Sequence, residues 1–196
     1  YISSFGNSLV VVSTFSSNIL FWLSSGYFDQ SSELNPLLHT WSLAVEEQYY
    51  IIFPLFLMLT WRFGTKSIIM LLAIVFLLSL GVAEWGAYNE PSASFFLLPT
   101  RGWELLMGVF ASFYLLNRGH LKSKILNEIM SSLGFIMIAS SIFLFDEFTP
   151  FPGLYALLPT TGTLLIIIFA VKNTTTYKVL SLPMFVSIGL ISYSAY

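Results

Sequence analysis

The chain has 196 residues with 8 Lys+Arg, 10 Asp+Glu and no cysteine, and its formal net charge is −2. Hydrophobic residues make up 56% of it and charged residues 9%, against roughly 25% charged residues in a soluble domain. This balance excludes a disordered chain and leaves too few polar side chains to cover a soluble globule. The sequence has no stripe of basic residues, which argues against nucleic acid as a partner. The absence of cysteine excludes disulfides and thiolate chemistry.

Seven apolar segments follow one another along the chain. A helix needs about 20 mostly apolar residues to cross a membrane, and open strands would leave backbone groups unpaired in lipid. The segments are 6–23, 43–61, 67–84, 95–116, 127–145, 154–171 and 179–196. Polar residues interrupt the first segment, which could cross the membrane or lie at its interface. The sequence predicts an all-α, polytopic transmembrane helical bundle with about six to seven membrane segments.

Basic residues lie in alternate connections between these segments. Seven of the eight Lys and Arg residues fall in three connections, 62–66, 117–126 and 172–178. The connections between them contain no basic residue. Because positively charged short loops stay on the cytoplasmic side, these three connections are predicted to be cytoplasmic and the others to face outward.

Four ionisable residues lie inside or at the mouth of the predicted spans, namely Glu46, Glu47, Arg101 and Glu104. An unpaired charge at a span centre costs about 2.5–3.5 kcal/mol, so these residues are expected to face a bundle interior or a wet cavity. Arg101 and Glu104 are three positions apart and share a helix face. For Arg101 and Glu104, a purely structural ion pair is as good an interpretation as a place in a functional site. For Glu47, solvation at the membrane interface is as good an interpretation as a functional role.

His39 is a further candidate for this site. His39, Leu43, Glu46 and Tyr50 are spaced 4, 3 and 4, and they lie on one stripe if the helix begins near the Asn35-Pro36 pair, a helix-start signal. A role at the helix start is the main alternative for the histidine. Together with the four charged residues it is predicted to form a cluster at the outward mouth of the bundle.

Three tryptophans and the second histidine have simpler interpretations. Trp41, Trp85 and Trp103 lie at segment ends, which is typical of an interfacial aromatic belt. His120 is predicted to lie on the opposite side of the membrane from His39, so the sequence supports no metal site.

One block of sequence resembles a known family. Residues 33–54, ELNPLLHTWSLAVEEQYYIIFP, are similar to the signature block of the acyltransferase-3 family of bacterial integral membrane acyltransferases. The stretches 14–29, 97–112, 151–168 and 188–196 agree with that family in the same order. The resemblance covers nearly the whole chain.

The resemblance implies an enzyme of the bacterial cytoplasmic (inner) membrane. It would move an acyl group, in many members an acetyl group, from cytoplasmic acyl-CoA (acetyl-CoA) to a carbohydrate hydroxyl outside. Lipopolysaccharide O-antigen and peptidoglycan are the acceptors in such proteins, so the expected partners are membrane lipid and a cell-surface polysaccharide or lipid-linked glycan.

The resemblance also implies parts that this sequence does not contain. The family has about ten spans, a functional histidine in the first of them and arginine motifs that handle the donor. Residues 1–196 are therefore expected to be one partial domain that lacks the N-terminal spans and the C-terminal end of its parent protein, and to be inactive alone. Glu46 could orient the upstream histidine, as a carboxylate does in a triad. Arg101, held by Glu104, could bind the donor or steady developing charge.

Two other classes of function remain open at this stage. A transporter or flippase for a lipid-linked sugar would also carry charges in its spans, but it predicts inverted repeats with broken helices, which the sequence does not display. A structural subunit would explain an Arg101–Glu104 ion pair but leaves the block at 33–54 unexplained.

Overall fold

The described part of the chain is helical. A computed structural model describes residues 11–24, 37–119, 121, 123–146 and 148–195. Its helices are α1 (Ser17–Ser24), α2 (Thr40–Thr60), α3 (Thr65–Asn89), α4 (Pro91–Phe96), α5 (Leu98–Arg118), α6 (Lys124–Leu144), α7 (Leu157–Phe169), α8 (Thr175–Leu180) and α9 (Pro183–Ala195). Short 3₁₀ turns occupy Trp61–Phe63 and Leu154–Ala156. These ranges contain no strand, which confirms the predicted all-α class.

Among the residues that the structure describes, three helical stretches are long and apolar enough to cross a membrane. They are Thr40–Phe63, Thr65–Asn89 and Lys124–Leu144, and they correspond to the second, third and fifth predicted segments. Two shorter apolar helices, Leu154–Phe169 and Pro183–Ser192, fall on the sixth and seventh segments. The chain is therefore a membrane protein by the length and composition of its helices.

The first predicted segment, 6–23, differs from a continuous span. Residues before 11 lie outside the described part of the chain. Within it, the backbone breaks at 14–16, where Phe15 has a positive φ of 54°, and α1 is only 8 residues long. Because a span needs about 20 residues, α1 alone is too short to cross. A positive φ is uncommon for a residue other than glycine, so the break is a defined feature of the backbone.

The fourth predicted segment, 95–116, begins later than expected and follows another helix. α5 starts at Leu98 and has 21 residues. Before it, α3 continues to Asn89 and α4 starts at Pro91, which occupies the beginning of that helix. Proline is favoured there because the first turn of a helix needs no donor from it. The predicted outer connection 85–94 is thus mostly helical.

The described residues form two compact units, which are considered separately below. The first unit contains Tyr1–Trp103 and Pro150–Leu154, and the second contains Glu104–Thr149 and Tyr155–Tyr196. The single partial domain expected from the sequence remains a prediction.

The first unit has an aromatic core. Phe21 of α1, Trp41 and Val45 of α2 and Phe96 of α4 are buried together. Side chains from three separate parts of the sequence therefore pack together between α1, α2 and α4.

The second unit is organised around the α6–α7 pair. The buried residues of α6 that share one stripe are small or polar: Asn127, Ser131, Gly134 and Ser141. Small residues at a helix interface let the two backbones approach closely. At the beginning of α6, both carboxylate oxygens of Glu128 accept the backbone N–H of Thr175, at 3.2 and 3.0 Å. This contact ties α6 to α8.

Candidate active site

Arg101, in the first turn of α5, lies against two aromatic rings. Its guanidinium carbon Cζ is 5.3 Å from the ring centroid of Trp41 and 5.5 Å from that of Phe95, within the roughly 6 Å at which a cation is attracted to an aromatic face. The two ring centroids are 4.6 Å apart, so the rings form one continuous aromatic surface. The planar N–H fork of an arginine is the part that binds carboxylates and phosphates, and it can do so while the guanidinium contacts an aromatic face.

The turn that carries Arg101 is held by buried hydroxyl groups. Thr100 Oγ1 donates to the carbonyl oxygens of Ser94 and Leu97, at 2.7 and 2.8 Å. Ser94 Oγ in turn donates to the carbonyl oxygen of Ala83 at 3.2 Å. These bonds connect the start of α5 to α4 and α3. The position of the arginine is therefore set by hydrogen bonds that join three helices.

A second hydroxyl anchors the same turn from α3. Ser79 Oγ donates to the carbonyl oxygen of Pro99 at 2.6 Å and accepts the backbone N–H of Trp103 at 3.0 Å. The Trp103 ring meets Phe76 edge-on at 6.1 Å between centroids. Because an edge-to-face pair is a favourable aromatic geometry, this contact and the Ser79 bonds fix the beginning of α5 on α3.

The predicted aromatic belt is wrong for two of its three tryptophans. Trp103 is 0% exposed and Trp41 is 8% exposed, whereas Trp85 is 61% exposed. The reason is tertiary packing, since rings at the ends of α2 and α5 meet residues of other helices. Trp41 and Trp103 are core residues, and Trp85 alone of the three keeps the exposure that a belt requires.

A pair of amides joins α1 to α2 beside this aromatic surface. Gln48 Nε2 donates to Asn18 Oδ1 at 2.9 Å and to the carbonyl oxygen of Phe15 at 2.9 Å. Asn18 Nδ2 donates to the carbonyl oxygen of Phe96 at 3.2 Å. Asn18 is 1% exposed, so its hydrogen bonds replace those it would make with water.

Sequence reasoning missed this amide pair as part of the site. Two signals could have indicated it: Asn18 interrupts an apolar segment, and Gln48 follows the two glutamates of the 33–54 block. Each amide alone looks like a local polar interruption of an apolar segment. Only their hydrogen bond across 30 positions shows that they join α1 to α2.

The stripe predicted on α2 faces outward from the first unit. His39 occupies the N-cap position of α2, and His39, Leu43, Glu46 and Tyr50 are all exposed. The helix begins at Thr40, and the Asn35-Pro36 pair proposed as its start lies outside the described residues. The four residues therefore share one exposed side of the chain at α2, and Trp41 lies on the buried side of the helix.

The predicted cluster of acidic residues around Arg101 stays a prediction. Glu46 is exposed on α2. Glu47 is half-buried. Glu104 is also half-buried and belongs to the second unit. A cavity shared by Glu46 and Arg101 stays a prediction.

The described side chains offer no cluster for a metal ion. In the ranges covered by the structure, no group of three His, Asp or Glu side chains lies close enough to ligate one. His120 lies outside those ranges. What the site does provide is a cation on an aromatic surface. The exposed face of α2 separately carries Glu46.

Comparison with known proteins identifies relatives along the same residues. A Haemophilus influenzae protein without a described function is 37% identical over 164 residues, which is 78% of this chain and 66% of that protein. The Staphylococcus aureus O-acetyltransferase OatA is 34% identical over 182 residues, 87% of this chain and 30% of OatA. Bacillus subtilis YrhL, provisionally named a peptidoglycan O-acetyltransferase, is 32% identical over 136 residues, 64% of this chain and 21% of YrhL.

The chain thus spans about two thirds of the first of these relatives and less than a third of the other two. No solved structure matches it. The family model described as an acyltransferase domain matches residues 3–196, which is nearly the whole sequence. The chain therefore belongs to the acyltransferase-3 family.

Proposed function

We propose that the parent protein of this chain is a multi-pass enzyme of the bacterial inner membrane that acetylates a cell-surface carbohydrate. The donor is acetyl-CoA on the cytoplasmic side, and the acceptor is a hydroxyl group of an extracytoplasmic glycan. Membership of the acyltransferase-3 family carries this proposal. The names of two relatives, both O-acetyltransferases and one of them for peptidoglycan, support the acetyl group and the glycan class.

The reaction needs a base and a stabilising cation. In the proposed reaction the thioester end of acetyl-CoA reaches into the bundle from the cytoplasmic side and meets the acceptor there. The acceptor oxygen attacks the thioester carbonyl carbon and its proton passes to the base. The C–S bond breaks, and coenzyme A leaves as the thiol after taking up a proton. Charge develops on the carbonyl oxygen during attack, and a positioned donor stabilises it. The upstream histidine implied by the family resemblance is the base in this scheme.

Arg101 is proposed to supply the positive charge of the site. Its guanidinium is held by Trp41 and Phe95, so little rotamer freedom is lost when it binds an anionic group. In this role it contacts the donor or the developing oxyanion. Glu46, on the exposed face of α2, is the proposed carboxylate that orients the histidine. His39 and Glu47 are assigned supporting places at the same mouth of the bundle. Glu104 keeps its proposed role through its position on α5, three residues after Arg101.

The test compares charge-conserving variants of the full-length parent. Arg101→Lys keeps the charge but removes the planar fork, and Arg62→Lys is its matched control, because Arg62 Cζ also lies over a ring, 4.8 Å from the centroid of Phe63. Membranes are incubated with labelled acetyl-CoA, and label in the glycan and protein level are both measured. We expect Arg101→Lys to lower transfer by at least about tenfold, with Arg62→Lys unchanged.

Glu46→Gln is tested in the same assay against Glu90→Gln, a change at another exposed carboxylate. Wild-type transfer by Glu46→Gln and Arg101→Lys would remove both residues from the site. Where the label appears tests the function itself. Label in a digested peptidoglycan or polysaccharide fraction supports the enzyme. An unlabelled glycan that still crosses the membrane supports a flippase instead.

A further inference from the structure

Ser79 of α3 bonds both partners of one helical hydrogen bond at the start of α5. In an α-helix the N–H of a residue donates to the carbonyl oxygen four positions earlier, so Trp103 N–H and the Pro99 carbonyl form such a pair. Ser79 Oγ donates to that carbonyl oxygen at 2.6 Å and accepts that N–H at 3.0 Å. The hydroxyl therefore bridges the two groups from a neighbouring helix, a position from which a side chain influences the local direction of a helix.

The residue that faces this hydroxyl on α5 is a glycine. A Cβ added at Gly102 would lie 3.6 Å from Ser79 Oγ, so the hydroxyl approaches α5 on the side of Gly102. Phe76, one turn before Ser79 on α3, meets the Trp103 ring edge-on. Because residues three apart lie on the same face of a helix, one face of α3 holds this turn of α5 through a hydroxyl and a ring.

Arg101 lies midway along the bridged turn, between Pro99 and Trp103. The direction in which its side chain leaves the helix therefore follows the orientation of that turn on α3. The rings that its guanidinium contacts belong to other helices, since Trp41 is on α2 and Phe95 is on α4. A rotation of the turn relative to α3 would thus change the distance from the guanidinium to both rings.

We propose that Ser79 is a positioning residue for Arg101. Its hydroxyl fixes the turn from Pro99 to Trp103, so that the guanidinium stays on the aromatic surface, and it acts through the arginine rather than on the donor or the acceptor. This inference rests on the proposed acyl transfer, in which Arg101 supplies the positive charge. Because a small displacement of a catalytic group costs a large factor in rate, the hydroxyl on α3 contributes to turnover from outside the site.

A hydroxyl that only stabilises the contact between α3 and α5 would behave differently. Loss of stability lowers the amount of active protein whichever residue stands at position 101, so it reduces transfer by the same factor in every background. A positioning residue loses its effect once the group that it positions has been changed. Combined changes at Ser79 and Arg101 therefore separate the two roles.

The first experiment changes the hydroxyl alone. Label transfer from acetyl-CoA is measured in membranes that contain the full-length parent and is normalised to protein level. Ser79→Ala should lower transfer by about threefold to tenfold, whereas Ser79→Thr, which keeps a hydroxyl, should retain most of it. Ser140→Ala is the matched control, because Ser140 is a half-buried serine of α6 whose hydroxyl donates to Met137 of its own helix at 2.9 Å. Wild-type transfer by Ser79→Ala, or equal losses in Ser79→Ala and Ser79→Thr, would overturn the proposal.

The second experiment places the same change in the Arg101→Lys background. Ser79→Ala should there alter the remaining transfer by less than about twofold. It should also change the same kinetic parameter as Arg101→Lys does in the wild-type background, either kcat or the KM for acetyl-CoA. A loss in the Arg101→Lys background as large as that in the wild-type background would assign Ser79 to stability alone and overturn the proposal.

A chemical probe tests the positioning without acyl transfer. The purified full-length parent is treated with phenylglyoxal in mild detergent, and modification of Arg101 and Arg62 is followed by mass spectrometry of their peptides. Ser79→Ala should speed modification of Arg101 by about threefold, in keeping with a weakened cation–π contact. Arg62, whose Cζ lies over Phe63, should react at the same rate in both proteins.

Equal rates at Arg101 in the wild type and in Ser79→Ala would overturn the proposal. The probe also separates this inference from the proposed function. If the wild-type parent transfers no label, the acyl transfer fails as the function, and the rate at Arg101 still decides whether Ser79 positions the arginine.

Discussion

Gly134 of α6 and Gly162 of α7 face each other with no room for a side chain on either. A Cβ on Gly134 would lie 2.6 Å from the carbonyl oxygen of Gly162, and a Cβ on Gly162 would lie 2.8 Å from that of Gly134. Both obstructing atoms are backbone atoms, which cannot turn aside as a side chain can. The two helices pack with their backbones in contact at this point.

Alanine at either glycine should therefore loosen the α6–α7 pair. We expect Gly134→Ala and Gly162→Ala each to lower the free energy of unfolding by about 1–3 kcal/mol, the usual cost of overpacking, read as a lower melting temperature in detergent. Gly108→Ala is the control, because no atom lies within 4 Å of its added Cβ and alanine favours a helix over glycine by about 1 kcal/mol. A melting temperature for Gly134→Ala equal to that of Gly108→Ala would contradict the close contact.

The amide pair of Asn18 and Gln48 should be energetically coupled. Asn18→Leu removes the donor to the Phe96 carbonyl and one of the two acceptors of Gln48 Nε2, at a cost of about 1–3 kcal/mol for a buried group that loses its hydrogen bond. The double variant with Gln48→Leu should cost less than the sum of the two single changes. Thermal unfolding of the four proteins measures the coupling, and Asn89→Leu, at an exposed asparagine bonded within its own helix, serves as control. If the losses of stability of the two single variants add up to that of the double variant, the two amides are not energetically coupled.

The aromatic surface under Arg101 should matter for transfer by the full-length parent. Trp41→Phe keeps a ring in the core and should retain most activity, because phenylalanine also attracts a cation. Trp41→Leu removes the ring and should lower transfer by about threefold to tenfold, in keeping with a partly buried cation–π contact. Trp85→Leu, at an exposed tryptophan, should change little. Label transfer is normalised to protein level, and equal transfer by Trp41→Leu and Trp85→Leu would rule the contact out.

The predicted orientation can be tested with single cysteines, because this chain has none. In a parent protein whose other cysteines, if any, are replaced, Lys122→Cys should resist an impermeant thiol reagent in intact cells and react once the membrane is opened. Asp146→Cys should react in intact cells. The opposite pattern would invert the topology that the basic residues indicate.

The sequence alone determined the class, the main spans and the family. In lipid, a helix hydrogen-bonds its own backbone groups, so long apolar runs predict helices. The spans Thr40–Phe63, Thr65–Asn89 and Lys124–Leu144 could therefore be predicted from composition. The block at 33–54 indicated the family because its order of residues is specific. The candidate Arg101 followed from the cost of placing a charge in an apolar helix.

Tertiary structure decided what those residues touch. Arg101 lies on Trp41, 60 positions earlier, and Asn18 pairs with Gln48 across 30 positions. Contacts of this kind depend on how helices pack, which local periodicity does not specify. For the same reason the sequence placed Trp41 and Trp103 at the membrane interface, whereas packing against neighbouring helices buries both rings. A tryptophan at the end of an apolar segment has the same local pattern in either case, and only its neighbours in space distinguish the core from the interface.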